Sequence, residues 1–212
     1  QSGIAMLKIK MDNVGKRYNR GWVFRAISDE IQLGDSIAIL GPNGSGKSTL
    51  LQIISGSVSP SQGEMSYYLE GEALVEEQIY RNITIAAPYL ELIEEYTLEE
   101  QIAFHFQFKQ LAKGVEQSQV PSLLNLEEDK AKPLKQYSSG MLQRVKLGLA
   151  ILSDTPIVLL DEPATNLDSN GIEWYNMMVR NHTKNRTVII CSNRREEEYH
   201  FCNRELIMEN YR

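Results

Sequence analysis

The chain has 212 residues, of which 42% are hydrophobic and 24% charged, and this composition is typical of an ordinary globular protein. The formal net charge of -6 argues against a broad basic surface for nucleic acid, so no nucleic-acid partner is expected. The 2 cysteines are too few for a disulfide framework, and no apolar run has the length of a membrane span.

Short apolar segments rich in β-branched residues predict buried strands at residues 36–40, 157–160 and 187–191. Helical patterns lie between and after these segments, so we expect a parallel sheet covered by helices. The first residues, 1–5, contain no recognisable signal peptide and are excluded from the interpretation.

The strand at residues 36–40 leads directly into GPNGSGKST, and a helix-like segment, LLQIIS, follows. This is the G-x-x-x-x-G-K-[ST] pattern in the strand, loop and helix setting that it requires. Glycines let backbone N–H groups point at phosphate oxygens, and the start of the helix adds its positive end. Lys47 is expected to reach the β- and γ-phosphates of a nucleotide, and the Ser48 hydroxyl to bind Mg²⁺. The predicted phosphate-binding residues are Gly41, Pro42, Asn43, Gly44, Ser45, Gly46, Lys47, Ser48 and Thr49.

A more helical segment follows at about residues 86–137. There TLEEQIAFHFQFKQL begins with Thr97 and Glu100 at the spacing of a capping box. Leu98, Ile102 and Phe106 then recur at four-residue intervals, which indicates a helix with one apolar face. We interpret this segment as a helical subdomain inserted into an α/β core.

The expected organisation is therefore one domain over residues 1–212. Its α/β core is formed by about residues 1–85 and 138–212, and the helical subdomain lies between them.

The sequence YSSGMLQRVKLGLAIL predicts an amphipathic helix that begins at a Ser-Ser-Gly turn. Its apolar positions are Leu142, Val145, Leu149 and Leu152. Helix starts of this kind are common and usually structural. This one indicates a function only because it lies between the phosphate loop and the stretch VLLDEPATNLD.

The stretch VLLDEPATNLD ends an apolar strand in adjacent carboxylates, Asp161 and Glu162. Mutual repulsion and desolvation both disfavour such a pair unless a cation lies nearby. We predict that this cation is Mg²⁺ held on the nucleotide and bound by Asp161, directly or through water. Glu162 is then available to orient or deprotonate the attacking water. The alternative is that Glu162 is a solvated loop residue.

The order of these motifs resembles that of the ABC-type ATPases: a phosphate loop, a helical insert, YSSGMLQR and then VLLDEPATNLD. The resemblance covers essentially the whole chain. It implies an α/β fold, a P-loop NTPase with a RecA-like core, whose mostly parallel sheet is flanked by helices and carries an inserted helical subdomain. It also implies an ATPase with ATP and Mg²⁺ as cofactors that powers an ABC transporter from the cytoplasmic face of the membrane. The implied partners are a separate membrane permease and a second ATPase subunit, identical or not, in a head-to-tail dimer.

The signature motif of this family usually reads LSGGQ, and residues 137–141 stand in its place. By resemblance, Ser138 and Gly140 of one subunit, with Ser139 between them, would contact the γ-phosphate held by Lys47 of the other. A helix N-terminus with a serine hydroxyl is suited to an anion.

Two further residues are assigned by resemblance. Asp168 matches the aspartate at the dimer seam, and Tyr18 matches the aromatic residue that stacks on adenine. The alternative is that Tyr18 is an ordinary core or surface residue, and Trp22, a second aromatic residue, lies close to it in the sequence.

Two positions depart from the family pattern. Asn193 stands where the family usually has a histidine that contacts the γ-phosphate, and asparagine can donate a hydrogen bond but cannot carry a charge. Counting back from Thr97, the usual glutamine of the loop before the helical insert falls on Pro88, with Tyr89 or Glu91 as partial substitutes. We therefore expect slow turnover.

Three other functions are considered. A nucleotide-dependent clamp that dimerises but hardly hydrolyses ATP is favoured by Asn193 and Pro88 and disfavoured by Glu162. A soluble ABC ATPase acting on ribosomes or DNA usually has two such domains or long coiled-coil inserts. A P-loop kinase would leave YSSGMLQR and DEPATNLD unexplained.

Overall fold

The computed structural model describes residues 7–19 and 21–212, so the interpretation of residues 1–5 lies outside it. Two sheets organise the described chain. The first is antiparallel, and its neighbouring strands are, in order, β2 (Gly21–Gln32), β1 (Leu7–Tyr18), β4 (Gln62–Leu69) and β5 (Glu72–Ala73). The second is parallel, in the order β6 (Ile83–Ala86), β7 (Ile157–Asp161), β8 (Thr187–Ser192), β3 (Ser36–Leu40) and β9 (Arg204–Ile207).

The parallel sheet confirms the strands predicted from apolar runs. β3 has the predicted bounds, whereas β7 and β8 each extend one residue further, so that Asp161 is the last residue of its strand. The sheet is covered on both faces: Ile157 and Leu159 point into one buried cluster, and Val158 and Leu160 into another. Parallel pairing brings the carboxyl ends of β3, β7 and β8 to one edge.

The antiparallel sheet was not predicted. Its strands β1 and β2 are 12 residues each and form a hairpin whose tip carries Tyr18. Leu7, Ile9 and Met11 are buried while the residues between them are not, which is the alternation of a sheet with one covered face. This face packs on the same buried cluster as one face of the parallel sheet.

Helices pack against the parallel sheet. The capping box predicted at Thr97 is confirmed: Thr97 Oγ1 accepts from the Glu100 N–H at 3.2 Å, and Glu100 Oε2 accepts from the Thr97 N–H at 2.8 Å. The helix is shorter than the sequence pattern predicts, because it ends just before Phe106. The helices are α1 (Lys47–Ile54), α2 (Glu76–Asn82), α3 (Leu98–His105), α4 (Val120–Leu123), α5 (Ser139–Ile151), α6 (Ser169–His182) and α7 (Glu196–Tyr199), with 3-10 turns at Gln117–Gln119, Glu127–Asp129, Leu134–Gln136 and Met208–Tyr211.

The segment of residues 86–137 holds α3, α4 and three of the 3-10 turns. Its apolar side chains, including Leu98, Ile102 and Leu134, share one buried cluster with Val145 of α5 and with one face of the parallel sheet. The division into core and helical subdomain stays a prediction. No helix among the described residues is both long enough and apolar enough to cross a bilayer.

A half-buried arginine ties three of these elements together. Arg186 donates from Nη1 to the Ile151 carbonyl at the end of α5, and from Nε to the Thr155 carbonyl before β7, both at 2.6 Å. It also donates to the His182 carbonyl at the end of α6, at 3.1 Å. Burial lowers the pKa of this guanidinium to about 10, and the hydrogen bonds to carbonyls satisfy its donors.

Candidate functional site

The loop after β3 curls through two glycines in left-handed backbone conformations. Gly44 has φ 76° and Gly46 has φ 98°, a region that favours glycine. Gly46 is the N-cap of α1, and a Cβ there would lie 2.6 Å from Val23 Cγ1 and 2.9 Å from a Phe24 ring carbon. Backbone conformation and packing therefore both require glycine at this position.

Lys47 lies inside that curl, and only 4% of its surface is exposed. Its Nζ donates to the Gly41 carbonyl at 2.8 Å and the Pro42 carbonyl at 3.2 Å, and it lies 3.9 Å from Glu162 Oε1. The ammonium group thus has carbonyl and carboxylate oxygens around it at the place where the motif predicts phosphate oxygens.

The predicted metal ligand, Asp161, ends β7 with 2% of its surface exposed. Burial raises the pKa of its carboxyl group, the Glu162 charge adds to this, and the Ser48 hydroxyl and Lys47 act in the opposite direction. Asp161 Oδ1 is buried and has no hydrogen-bond partner among the described residues. A buried carboxylate oxygen without a partner destabilises the protein unless a cation or donor reaches it.

A divalent cation fits these residues. Among the described residues, no three His, Cys, Asp or Glu side chains cluster as a metal site by themselves. Asp161 and Ser48 would provide two oxygen ligands, and Mg²⁺ characteristically takes one or two protein ligands and completes its shell with phosphates and water. The unpartnered Oδ1 of Asp161 supplies the carboxylate that such a cation needs.

The predicted general base, Glu162, is turned toward the same cleft by its backbone. It has φ 47°, in the left-handed region that non-glycine residues rarely adopt. Its N–H donates to the Cys191 carbonyl of β8 at 2.9 Å, so the turn is anchored to the neighbouring strand. This arrangement stores strain of about 1–3 kcal/mol at the site.

Tyr18 lies on the same cleft as the phosphate loop. The cleft has a volume of about 390 Å³. Half of the surface of Tyr18 (52%) is exposed, and the Lys16 ammonium lies 5.2 Å from the ring centre. The residues that line the cleft are Tyr18, Val23, Asn43, Gly44, Gly46, Lys47, Ser48, Thr49 and Glu162.

The predicted signature residues form a second cleft, of about 380 Å³, at the start of α5. Ser138 is the N-cap of this helix, and its Oγ accepts from the Met141 N–H at 3.2 Å. Gly140 packs so closely that a Cβ would lie 2.8 Å from the Asn166 carbonyl oxygen. Ser139, next to it, is exposed.

Asp168 lines this second cleft as well. It caps α6, because its Oδ1 accepts from the Gly171 N–H at 2.7 Å, and the same oxygen lies 3.9 Å from Arg144 Nη2. The two clefts have no lining residue in common. The structure thus groups the predicted residues into two sets and keeps the sets apart within one chain.

The two positions that depart from the family pattern are not among the residues that line the first cleft. Asn193 follows β8 and is exposed. Pro88 is exposed, and its carbonyl accepts from Lys146 Nζ at 3.3 Å. Burial raises the pKa of Tyr89, the residue after it, to about 12, the Asp161 carboxylate adds to this, and the Gln52 side chain opposes it. The Asp161 charge is thus one of the influences on the Tyr89 phenol.

Sequence reasoning missed two residues that hold the turn after Glu162. Glu198 is fully buried, and its Oε1 accepts from the Ala164 N–H at 3.0 Å, while burial raises its pKa. Gln143 donates from Nε2 to the Pro163 carbonyl at 3.0 Å. In the sequence, Glu198 is one glutamate in a run of three, so composition does not distinguish it from its exposed neighbour.

Comparison with known proteins decides the family. The sequence model described as ABC transporter matches residues 24–165. The chain belongs to the ABC transporter family. The matched range begins in β2 and ends in the turn after Glu162, so it contains the phosphate loop, the signature turn and both carboxylates.

Named relatives include proteins of both transport directions. The chain is 28% identical over 193 residues to the cytochrome c biogenesis ATP-binding export protein CcmA of Haemophilus influenzae, covering 89% of this chain and 90% of that protein. It is 34% identical over 170 residues to the sulfate/thiosulfate import ATP-binding protein CysA of Gloeobacter violaceus, covering 77% of this chain and 48% of that protein. It therefore spans about half the length of that importer subunit.

The fold matches solved ABC cassettes as well. A dimeric ATP-binding cassette in a post-hydrolysis state, bound to ADP and Pi, superposes with a TM-score of 0.78 at 25% identity, over 94% of this chain and 93% of that one. The predicted fold class is therefore confirmed, and this ABC family member is an ATP-binding ATPase domain.

Proposed function

We propose that this chain is the ATP-hydrolysing subunit of an ABC transporter and powers transport through a separate permease at the cytoplasmic face of a membrane. One observation carries the proposal: a buried lysine, two carboxylates and a hydroxyl converge where β3 and β7 end. Lys47 Nζ lies 3.9 Å from Glu162 Oε1, and Asp161 precedes Glu162 with an unpartnered oxygen. Clefts at the carboxyl ends of parallel strands are the usual ligand sites of such sheets.

In this proposal Lys47 exchanges the Gly41 and Pro42 carbonyls for β- and γ-phosphate oxygens of ATP. Ser48 and Asp161 hold Mg²⁺, which offsets negative charge on the phosphates when it is bound. Glu162 accepts a hydrogen bond from the attacking water and takes its proton. Tyr18 stacks on the adenine ring at the other end of the cleft.

The second cleft is completed by another subunit. Ser138, Ser139 and Gly140 stand at the start of the 13-residue helix α5, where backbone N–H groups and a hydroxyl favour an anion. Because these residues line a cleft separate from the phosphate loop, they contribute to ATP only if two chains pair head to tail. Asp168, on the same cleft, then lies at the dimer seam.

Turnover is expected to be slow. Asn193 cannot supply a positive charge or take a proton at neutral pH, and Pro88 offers no side-chain amide. Losing one polarising contact of this kind typically lowers the rate by about 10²–10³. The Tyr89 hydroxyl, which lies near Asp161, partly replaces the missing amide.

We assign the surface that contacts the permease to an apolar groove of about 420 Å³ between β6, α3 and α5. Leu90, Phe104 and Phe108 are exposed there, and the rings of Phe104 and Phe108 stack edge to face at 5.3 Å. Exposed apolar groups gathered in one groove are characteristic of an interaction surface.

The proposal is tested by measuring Mg²⁺-dependent ATP hydrolysis at several protein concentrations, beside Glu162→Gln. We expect activity per molecule to rise with concentration, because each site needs two chains, and Glu162→Gln to abolish turnover while ATP still binds. Concentration-independent hydrolysis that survives Glu162→Gln would contradict both the composite site and the role of Glu162.

A second function is favoured by Asn193 and Pro88: a clamp that binds ATP and dimerises with hardly any hydrolysis. The same experiment separates the two. ATP-dependent dimerisation without turnover, at every protein concentration, would favour the clamp.

A further inference from the structure

Three strand ends stand side by side at the phosphate loop. β3 lies between β8 and β9 in the parallel sheet, and the phosphate loop leaves its end at Gly41. Arg194 follows β8 and Glu209 follows β9, and Arg194 Nη2 donates to Glu209 Oε1 at 2.6 Å. This ion pair, the Arg194–Glu209 clasp, therefore spans the strand end from which the phosphate loop starts.

The carboxylate of the clasp lies against the loop itself. Glu209 Oε2 is buried and has no hydrogen-bond partner among the described residues, and the same is true of Ser45 Oγ. A Cβ on Gly41 would lie 3.2 Å from Glu209 Oε2 and 2.5 Å from Ser45 Oγ. Glu209 thus places a negative charge beside the first residue of the loop that receives the phosphates.

Arg194 is held in an uncommon conformation to reach this carboxylate. Its φ is 59°, in the left-handed region. Such conformations persist only where surrounding contacts maintain them. Arg194 also follows Asn193 directly, so the clasp restrains the turn after β8 that contains Asn193.

We infer that Arg194 is a positioning residue for nucleotide binding that acts through Glu209: it neutralises this carboxylate, which would otherwise repel the phosphates. The inference rests on the proposed function, because it takes the loop as the phosphate site. An exposed ion pair ordinarily contributes little. Here one oxygen of the carboxylate is buried, so removal of the arginine leaves a charge that water compensates poorly.

The test is a double-mutant cycle on binding of MgATP and of MgADP, measured by calorimetry in a Glu162→Gln background that keeps ATP intact. Arg194→Gln is expected to raise both dissociation constants about three- to tenfold. Glu209→Gln is expected to leave them unchanged or to lower them slightly. The double variant is expected to return to within about twofold of the parent, because the repelling charge is gone.

Two further measurements separate charge from structure. The Arg194→Gln defect is expected to shrink in 0.5 M salt, since screening weakens repulsion between charges. The matched control is Lys8→Gln, which removes one positive charge from an ion pair of 2.8 Å, Lys8 with Glu30, at the end of β1 away from Tyr18. It is expected to change neither dissociation constant.

A double variant as weak as Arg194→Gln, or a loss confined to ATP, would overturn the inference, because either result means that Arg194 contacts the nucleotide itself. An unchanged affinity in Arg194→Gln would also overturn it. If the Glu162→Gln parent binds no ATP at all, the proposed function fails instead.

Discussion

The two clefts of this ABC domain differ in how complete they are within one chain. In the phosphate-loop cleft, Lys47 is buried and its donors are satisfied by carbonyls, and Glu162 lies 3.9 Å from it. In the signature cleft, Ser138 and Ser139 are exposed. The first cleft therefore gathers buried charged groups within one chain, whereas the second presents exposed groups at the start of a helix.

This difference assigns separate tasks to the two clefts. Buried charged groups bind a charged ligand strongly because the attraction between charges is greater where water is excluded. Exposed helix-terminal groups add a contact that exists only when two chains meet, so they are suited to making hydrolysis depend on dimerisation.

The largest expected effect comes from disabling each cleft in a different chain. Lys47→Ala removes the cation of the first cleft and is expected to lower turnover by about 10³ or more. Ser138→Ala is expected to leave ATP binding by single chains intact while lowering turnover about 10- to 100-fold. Mixing the two inactive proteins should restore activity above either alone, because the heterodimer contains one intact pair of clefts.

The control for Ser138→Ala is Thr97→Ala. Thr97 is also an N-cap whose hydroxyl accepts from a backbone N–H, at 3.2 Å, but it lies outside both clefts. Each substitution removes a cap worth about 1 kcal/mol. If Thr97→Ala lowers turnover as much as Ser138→Ala, the effect is one of helix stability rather than of the site. No restored activity in the mixture would contradict the head-to-tail arrangement.

A smaller effect is expected at Tyr89. Tyr89→Phe removes only the hydroxyl near Asp161 and is expected to lower kcat about three- to tenfold, with the KM for ATP little changed. Steady-state kinetics at saturating Mg²⁺ check this, with Tyr80→Phe, on the apolar groove, as the matched control. Equal activity in Tyr89→Phe and the parent would show that the hydroxyl does not replace the missing amide.

The smallest effect concerns stability. Burial raises the folded-state pKa of Asp161 above its unfolded value, so the folded protein binds this proton more tightly and loses stability as pH rises between the two values. Asp161→Asn removes that loss and is expected to raise the Tm by about 2–4 °C near pH 7, for about 1 kcal/mol.

The gain in Asp161→Asn should fade as pH falls and the native carboxyl takes up its proton. Asp12→Asn, on an exposed carboxylate, provides the comparison and should leave the Tm nearly unchanged. A Tm for Asp161→Asn that is no higher than the parent at neutral pH would mean that Lys47 and Ser48 already compensate the buried charge.

Local patterns predicted the first cleft better than its surroundings. The phosphate loop, the strand ending in Asp161 and the cap at Thr97 are each contained in a few consecutive residues, so the sequence is sufficient for them. The antiparallel sheet was missed although β1 alternates clearly, because Tyr18, in this part of the chain, was assigned from the family resemblance and not from a strand pattern.

Long-range contacts could not be predicted in this way. The Glu198 side chain contacts the Ala164 N–H, 34 positions earlier in the chain. Arg194 and Glu209 meet because the strands they follow, β8 and β9, are the two neighbours of β3 in the sheet. Both depend on strand order, which a local pattern does not contain. Glu198 and Arg194 look like ordinary solvated charges in the sequence, and only burial and pairing distinguish them.

The guanidinium of Arg186 fixes the C-terminal end of α5. It fastens the last turn of this helix to the sheet and to α6, while the first turn, at Ser138, is exposed. Over 13 residues the helix is about 20 Å long, so a tilt of about 5° around the fastened end moves the signature turn by about 1.7 Å. Lys146 and Leu149, on the same helix, line the apolar groove, so one helix borders both this groove and the signature cleft.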